Sequence, residues 1–237
     1  KQTGTNNTYK FNFEHGFEKF NLGVSYMTGF RNPTLYEIFG TDNFGYSGNR
    51  DLKPEKSNTY EIYSNIAFNK NLNLTLRTFR ANIQNNIEYI NNKYQNDDDD
   101  VDLNQSGFNN NLNIKLRDTN INFFSSFLSS KKENGADQLR RPEKNYGLNI
   151  SQKTQNIFLG NFNINLAYNH YGKHFDTHSS NFSTIEMDST DIIDLKITKK
   201  LSNSDFYIKV TNALDESYQK PHGYNQEKRV IKFGIKY

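Results

Sequence analysis

The sequence lacks the cysteines that would form disulfides and the long apolar segments that would anchor a protein in a membrane. Among its 237 residues there is no cysteine, no tryptophan and only 4 prolines. A disulfide framework is therefore excluded, and no redox compartment is indicated. No apolar run approaches the roughly 20 residues that a membrane-spanning helix needs. The chain starts at Lys1 without a signal peptide, and we expect it to be the C-terminal piece of a larger protein.

Hydrophobic residues are also scarce, at 34% of the chain with a mean hydropathy of -0.90, below what a soluble domain of this length normally shows. Disorder would explain such polarity, but disordered chains are poor in aromatic residues, and this chain has 19 Phe and 15 Tyr. A transmembrane β-barrel accounts for both facts, because alternate residues face lipid and a wet lumen. The net charge of +3 is too small to indicate a nucleic-acid partner.

Apolar and polar residues alternate with a period of two over much of the chain, which predicts antiparallel strands. Phe20 and Leu22, for example, would share one face of a strand, with Asn21 on the other. About eleven such segments occur, at residues 8–15, 20–28, 58–69, 72–89, 101–116, 120–129, 144–152, 158–175, 192–200, 206–212 and 229–237. A change of parity within the fourth predicts a β-bulge near Thr78. Short and long connections alternate, as in outer-membrane barrels with periplasmic turns and external loops.

The connection after the second predicted strand carries the most specific motif. Between Phe30 and Ile62 the chain reads FRNPTLYEIFG and then GNRDLKPEKSNTYEI. These two segments closely resemble the barrel signature of TonB-dependent outer-membrane receptors. NALDESY, HGYNQEKR and the aromatic C-terminal Tyr237 resemble further elements of that family. Glu227 or Lys228 stands where the family favours Gly, so the entry to the last strand is expected to differ.

The resemblance implies an all-β fold, an antiparallel transmembrane β-barrel. Barrels of this family have about 22 strands around a plugged lumen, so residues 1–237 would form the C-terminal half, with the plug domain upstream. It also implies location in the bacterial outer membrane, contact with outer-membrane lipid and lipopolysaccharide, and import of a scarce large ligand. The TonB–ExbB–ExbD system would drive import through the plug. Neither catalysis nor nucleic-acid binding is implied.

Within the family, the cobalamin (vitamin B12) receptors are the most similar, through LRRPEKN, YNHYGKHFD and the spacing of the last two loops. This resemblance implies that Arg140 lies beside the ligand and that a second contact falls near Ser179. The Leu-Arg-Arg-Pro pattern also occurs in siderophore receptors, so a ferric siderophore is the alternative ligand. Arg140 has a second interpretation, as a rim charge that faces solvent or lipopolysaccharide phosphate. Aromatic anchors for the ligand are expected at Phe44, Tyr46 and Tyr224, because amphipathic rings offer contact area at a low entropic cost.

Two groups of residues raise the possibility of a metal ion. An acidic run consists of Asp97, Asp98, Asp99 and Asp100. Such a run could bind Ca²⁺, but it lacks the glycine-punctuated spacing of calcium loops, and a solvated loop is the alternative. His170, His174 and His178 would be roughly 13 Å apart along an extended strand, too far for one metal ion. No cofactor is otherwise expected.

Two other classes of function remain open. An outer-membrane lipid hydrolase would need an activated Ser near the membrane girdle, and an adhesin or phage-receptor barrel would use its loops without transport. No Ser-His-Asp order, carboxylate pair or phosphate-binding loop stands out in the sequence. An upstream plug would distinguish the transporter from both alternatives.

Overall fold

Eleven strands form one continuous antiparallel sheet. The computed structural model describes residues 6–43, 45–90, 93–97, 102–156, 160–201 and 203–236. The strands of the sheet are β1 (Lys10–Gly16), β2 (Phe20–Arg31), β3 (Glu55–Asn69), β4 (Leu72–Gln84), β7 (Leu103–Leu116), β8 (Thr119–Lys132), β9 (Lys144–Asn156), β10 (Gly160–Tyr171), β13 (Thr190–Lys200), β14 (Asp205–Thr211) and β15 (Val230–Lys236). Each pairs with its neighbour in this order, so the predicted strands and their antiparallel arrangement are confirmed.

The remaining elements lie in the long connections. A short helix, α1 (Leu35–Phe39), follows β2, and two hairpins are formed by β5 (Ile87–Ile90) with β6 (Lys93–Asn96) and by β11 (His174–Thr177) with β12 (Thr184–Met187). We name the long loops L1 (32–54), L2 (85–102), L3 (133–143), L4 (172–189) and L5 (212–229). They all lie at one end of the sheet because each is separated from the next by a short turn at the other end. Among the described residues, no helix is long and apolar enough to cross a membrane.

The register gives the sheet one apolar face and one polar face. The row Phe20, Ile66, Leu74, Leu112, Phe123, Leu148, Tyr168, Ile193 follows directly opposed pairs across eight strands. Exposed side chains on the apolar face include Leu22, Val24, Ile62, Phe108, Phe127, Ile208, Ile231 and Phe233. Few apolar side chains of the described residues are buried, among them Tyr46, Leu52 and Leu103. The sheet therefore presents its apolar residues outward and has no enclosed hydrophobic core, as a transmembrane barrel wall requires.

The polar face is the concave face. It carries asparagines that bond across strands, such as Asn122, whose side-chain N–H donates to Asn111 over 2.9 Å. A cavity of about 580 Å³ lies against this face and is lined from β4 through to β14. One face can border a shared cavity across so many neighbouring strands only if it curves around the cavity. The polar face therefore lines the inside of the barrel, the lumen.

Two sequence-based details are wrong. No bulge occurs at Thr78: β4 keeps an unbroken register there with both neighbours, and the register shift lies between Ala67 and Asn69 instead. The change of parity arises because Phe79, Ala81 and Ile83 are lumen-facing residues near the loop end. Their partners on β3 are the polar residues Glu61, Thr59 and Ser57.

The predicted fourth and eighth strands also run too far. β4 ends at Gln84, where Asn85 takes a positive φ of 54°, a conformation that Asn tolerates better than most residues. β10 ends at Tyr171, and Gly172 passes so close to the carbonyl of Lys144 that a Cβ would be 2.4 Å from it. In both places the chain leaves the sheet and forms a separate hairpin in the loop.

Candidate functional site

Loop L1 is shaped by a capped helix and an ion-pair network. The Thr34 hydroxyl accepts from the Glu37 backbone N–H over 3.2 Å, and the Glu37 carboxylate accepts from the Thr34 N–H over 2.6 Å, which is a capping box. Arg31 at the end of β2 donates to Glu37 over 3.1 Å and to Glu55 at the start of β3 over 2.7 Å. Burial alone would raise the pKa of the Glu37 carboxyl, but the hydrogen bonds from Thr34 and Arg31 hold this pKa below its usual range. The motif FRNPTLYEIFG thus fixes L1 to the two strands that it connects.

Tyr46 joins L1 to the β5–β6 hairpin of L2. Its side chain is only 3% exposed, its hydroxyl donates to the Tyr36 carbonyl over 2.6 Å, and its ring stacks on Tyr36 at 4.8 Å. The rings of Tyr89 and Tyr94 both lie 5.8 Å from it. The surface of Tyr46 is thus largely covered by other rings, and its contact with a ligand stays a prediction. Phe44 lies outside the described residues.

Gly48 allows L1 to fold against α1. A Cβ at this position would be 2.5 Å from the carbonyl carbon and oxygen of Ile38 and 2.6 Å from the backbone nitrogen of Phe39. We expect Gly48→Ala to destabilise L1 by about 1–3 kcal/mol, the usual range for overpacking, and to speed tryptic cleavage at Arg50 in the full-length protein. Gly16→Ala is the matched control, since a Cβ at Gly16 meets nothing within 4 Å. Equal cleavage rates in the two variants would contradict this account of L1.

Loop L2 is held to β8 by Lys132. The ammonium group of Lys132 donates to Glu88 over 2.6 Å and to Asp97 over 2.9 Å, and the Asn86 amide donates to the other Asp97 oxygen over 3.1 Å. Each Asp97 oxygen thus accepts from a protein donor, with which a Ca²⁺ ion would have to compete. Asp98, Asp99 and Asp100 lie outside the described residues.

Loops L3, L4 and L5 meet at Asp176, a carboxylate with 0% exposure. It accepts from Arg140 Nε of L3 over 2.6 Å, from the His222 backbone N–H of L5 over 2.8 Å and from the Thr177 N–H over 2.7 Å. Arg140 has a positive φ of 61°, and its backbone N–H donates to the Phe175 carbonyl over 2.6 Å. Burial alone would raise the pKa of the Asp176 carboxyl, but the hydrogen bonds from Arg140, His222 and Thr177 keep this pKa below its usual range. We call Arg140, Asp176 and His222 the loop latch.

A pair of histidines extends the loop latch toward the loop tips. The rings of His178 and His222 lie 4.5 Å apart, and His222 Nδ1 accepts from the Ser179 backbone N–H over 3.1 Å. Gly223, with a φ of 86°, leaves room for the Ser179 side chain, which would clash with a Cβ there at 2.6 Å. Tyr224 follows with 67% of its surface exposed. The structure thus brings Arg140, Ser179 and Tyr224 into one region of the rim, while Tyr46 belongs to another.

A cavity of about 240 Å³ lies between L3 and L4. Its charged lining residues are Asp137, Arg141, Glu143, Lys173 and Glu186. Lys173 donates to Glu186 across its wall over 2.8 Å. Of the two adjacent arginines, Arg141 therefore faces the cavity while Arg140 serves the latch, with 58% of its side chain still exposed. The cavity offers donors and acceptors to a polar ligand at the loop end of the barrel.

The histidines singled out in the sequence are dispersed. His170 Nδ1 lies 2.8 Å from Asp191, His174 Nδ1 lies 3.3 Å from the Gly172 carbonyl, and His178 Nδ1 accepts from the Ser180 N–H over 3.2 Å. In the part of the chain that the structure describes, no group of three or more His, Asp or Glu is placed to hold a metal ion.

Sequence reasoning missed Asp176 and His222. Asp176 ends the YGKHFD segment, and His222, 46 residues further on, is the first residue of HGYNQEKR. No local pattern relates the two residues, because the contact depends on how L4 and L5 fold over the rim. The one available signal was that both motifs stand in long loops at the same end of the sheet.

The rim as a whole combines a rigid base with exposed contact residues. Apolar and aromatic side chains protrude from its loops: Leu35, Tyr36, Phe39, Tyr89, Phe182 and Tyr224. Ring contacts of the buried Tyr46 join L1 to L2, the Lys132 ion pairs join L2 to β8, and the loop latch joins L3 to L4 and L5. Such an arrangement suits the capture of a sizeable ligand, because aromatic side chains provide contact area and fixed polar groups provide orientation.

Comparison with known proteins identifies the family. The model described as TonB dependent receptor-like, beta-barrel, matches residues 1–213. Similar solved structures include the siderophore receptor PirA from Acinetobacter baumannii, with 15% identity over 100% of this chain and 41% of that one and a TM-score of 0.79. The ferric-catecholate import receptor Fiu from Escherichia coli K12 has 18% identity over 96% of this chain and 34% of that one, with a TM-score of 0.70.

The ferripyoverdine receptor of the Pseudomonas aeruginosa outer membrane, bound to ferripyoverdine, has 15% identity over 96% of this chain and 32% of that one, with a TM-score of 0.73. The chain thus spans roughly a third to two fifths of the length of these proteins. At such low identity these likenesses establish the fold. Because the family model covers most of the chain, the chain belongs to the TonB-dependent receptor family, whose members are receptors rather than enzymes, and it forms part of the β-barrel.

Proposed function

We propose that the chain is part of an outer-membrane receptor that imports a ferric chelate of the siderophore class. The observation that carries the proposal is the family match over residues 1–213. In this proposal the rim captures the ligand, and the TonB–ExbB–ExbD system supplies the energy for import through a plug domain. The apolar face would contact outer-membrane lipid, and lipopolysaccharide would surround the rim.

Two observations favour a ferric chelate over cobalamin. The similar solved structures named above are described as receptors for siderophores or ferric chelates. The likeness to cobalamin receptors implies that Arg140 lies beside the ligand, yet Arg140 Nε donates to the buried Asp176. Cobalamin remains the second candidate ligand, since the rest of the Arg140 side chain is exposed.

Within the rim, we propose that Tyr224, Ser179 and Arg141 contact the ligand. Tyr224 is exposed at the tip of L5. Ser179 lies beside His222 in the neighbouring loop, and Arg141 lines the cavity between L3 and L4. Together they would offer a ring, a hydroxyl and a guanidinium group, which suit a ligand that has both aromatic and anionic parts.

Ligand titration of the full-length receptor in detergent tests this function. We would titrate a ferric tris-catecholate, a ferric hydroxamate and cyanocobalamin separately and follow absorbance or heat. Saturable binding is expected with one of the ferric chelates and not with cyanocobalamin. Tyr224→Ala should weaken that binding about tenfold, since losing a well-packed aromatic anchor commonly costs more than 1 kcal/mol.

Phe17→Ala is the matched control for this titration. Phe17 is an exposed aromatic residue in a short turn, at the end of the sheet opposite the rim. Its replacement should leave the affinity unchanged. If the receptor bound cyanocobalamin and neither ferric chelate, the ligand would be cobalamin. If it bound none of the three, the proposed function would be wrong.

A further inference from the structure

Three lysines lie directly opposite one another on the lumen face. Lys196 of β13 pairs in register with Lys209 of β14, and Lys209 pairs with Lys232 of β15. Like charges in directly opposed positions destabilise a sheet. Lys199 belongs to the opposite, apolar face of β13, since it pairs with Phe162 and Phe206. We call Lys196, Lys209 and Lys232 the lysine row.

Within the described part of the chain, no carboxylate neutralises the lysine row. Among the described residues, no carboxylate lies within ion-pair distance of any of its three ammonium groups. Asp194, the acidic neighbour on the same face of β13, accepts from the Asn212 backbone N–H over 2.9 Å. The charge repulsion within the row is therefore left for another partner to relieve.

Tyr207 positions the first lysine of the row. The Lys196 Nζ lies 4.9 Å from the centre of the Tyr207 ring, within the range of a cation–π contact. This ring occupies the space beside Gly234, where a Cβ would approach it to 2.4 Å. Glycine on β15 therefore lets the tyrosine lie across the sheet, where it supports Lys196.

Two of the three lysines in the row border the large lumen cavity, whose lining also includes the carboxylate of Asp194. Lys196 and Lys209 line this space of about 580 Å³ together with Lys70 and Lys115. Side-chain amides make up much of the remaining polar lining: Asn71, Asn73, Asn113, Asn120, Asn122, Asn149 and Asn165. The volume falls within the range of small-molecule sites, roughly 300–1,000 Å³. Ammonium and amide groups are the donors that carboxylates and phosphates require.

We propose that this wall of the lumen binds a small oligoanion through the lysine row. Neighbouring strands are about 4.8 Å apart, so adjacent ammonium groups match the spacing of neighbouring charged groups within one small molecule. A single oligoanion would thus relieve the repulsion along the whole row. The use of this site in transport, as a resting place for an anionic cargo inside the barrel, rests on the proposed function. The binding itself does not.

Calorimetric titration of inorganic pyrophosphate into the full-length receptor tests the proposal. Pyrophosphate should bind the wild-type protein, and raised salt should weaken this binding because exposed charges are screened. The double substitution Lys196→Gln, Lys209→Gln should weaken it about tenfold or more, since each ammonium contributes a close attraction to the anion. Lys199→Gln, on the apolar face of the same strand, should bind pyrophosphate like the wild type.

Three outcomes would overturn the anion site. These are absence of pyrophosphate binding in the wild type, equal binding by the double variant, and cross-linking of Lys196 or Lys209 to polypeptide carboxylates by a zero-length carbodiimide reagent. The last would assign the lysine row to a protein contact. Cellular uptake of the ferric chelate is measured separately. Failed uptake with intact pyrophosphate binding would remove the proposed function and leave the anion site in place.

Discussion

Leu148→Arg is expected to destabilise the barrel by about 2–4 kcal/mol, the cost of an arginine on the lipid face near the bilayer midplane. Leu148 is the middle residue of the alternating outward series Lys144, Tyr146, Leu148, Ile150 and Gln152 on β9. Its neighbours in the row, Phe123 and Tyr168, are large and outward-facing. A guanidinium at this position could reach neither water nor a partner without distorting the wall. The effect is measured by unfolding the full-length receptor with urea in lipid vesicles. The folded fraction is read on a gel, where folded and heat-unfolded barrels migrate differently.

Asn149→Arg is the matched control for this substitution. Asn149 is the next residue on β9, points to the opposite face and borders the lumen cavity. The same arginine side chain is then added where water and polar groups can receive it, so a change below about 1 kcal/mol is expected. Equal destabilisation by both substitutions would mean that the assignment of the two faces is wrong.

Removal of the Asp176 carboxylate is expected to have the second largest effect. Asp176→Ala leaves the Thr177 and His222 amides and the Arg140 guanidinium without their shared acceptor. Each buried group that loses its partner costs about 1–3 kcal/mol, so L3, L4 and L5 should separate locally while the sheet persists. Hydrogen exchange of the His222 and Thr177 amides should accelerate by at least tenfold. Affinity for the ferric chelate should fall with it, because the rim is then no longer preorganised.

Asp188→Ala provides the control within the same loop. The Asp188 side chain is 93% exposed, and its ion pair with Lys173 is 3.6 Å long. Surface pairs of this kind contribute little to stability, so the exchange rates at Thr177 and His222 should not change. If Asp176→Ala also left these rates unchanged, the loop latch would not hold the loops together.

The contribution of Asp176 should depend on pH in a defined direction. The pKa of its carboxyl is lowered in the folded protein, so its stabilising effect is present above the unfolded pKa of about 3.9. This effect is lost as the pH falls through the lower, folded-state pKa. The difference in melting temperature between wild type and Asp176→Ala should therefore be constant from pH 7 to pH 5 and shrink below about pH 4. A difference that already disappeared at pH 6 would contradict this assignment.

The strands were predictable from the sequence because each has faces in two different environments. Phe20 and Leu22 against Asn21, or Phe162 and Ile164 against Asn163, report this difference within a few residues. The ends of β4 and β10 were not predictable in this way. Ile87 and His174 continue an apolar or aromatic pattern beyond Gln84 and Tyr171, although the chain has already left the sheet there. The alternation of apolar and polar residues reflects burial, and residues are buried in loop hairpins as well as in the sheet. The alternation therefore does not show where a strand leaves the sheet.

The rim was predictable only in its location. Motifs placed Arg140, Ser179 and Tyr224 in loops at one end of the sheet, and the structure brings them together. Asp176 could not be selected, because its importance comes from three donors that belong to L3, L4 and L5. The burial of Tyr46 was not predictable for the related reason that a loop position does not reveal whether a ring is covered by another loop.

The offset of the register from strand to strand determines how far the strands tilt from the barrel axis. The row of opposed residues begins at Phe20, the first residue of β2. After seven strand-to-strand steps it reaches Ile193 of β13, which lies seven residues before Lys200, the end of that strand. A climb of about one residue per strand corresponds to a tilt of about 35°, the lower end of the usual range for barrels.

At that tilt, about nine residues span the roughly 25 Å apolar band of a bilayer. The strands β3, β4, β7, β8 and β9 have 13 to 15 residues each. Four or more residues of each therefore project beyond the lipid, where the outward positions become polar, as at Asn82, Asn104 and Lys131. The barrel thus carries a collar of hydrogen-bonded sheet about 10 Å above the bilayer, and its loops start from this raised edge rather than from the membrane surface.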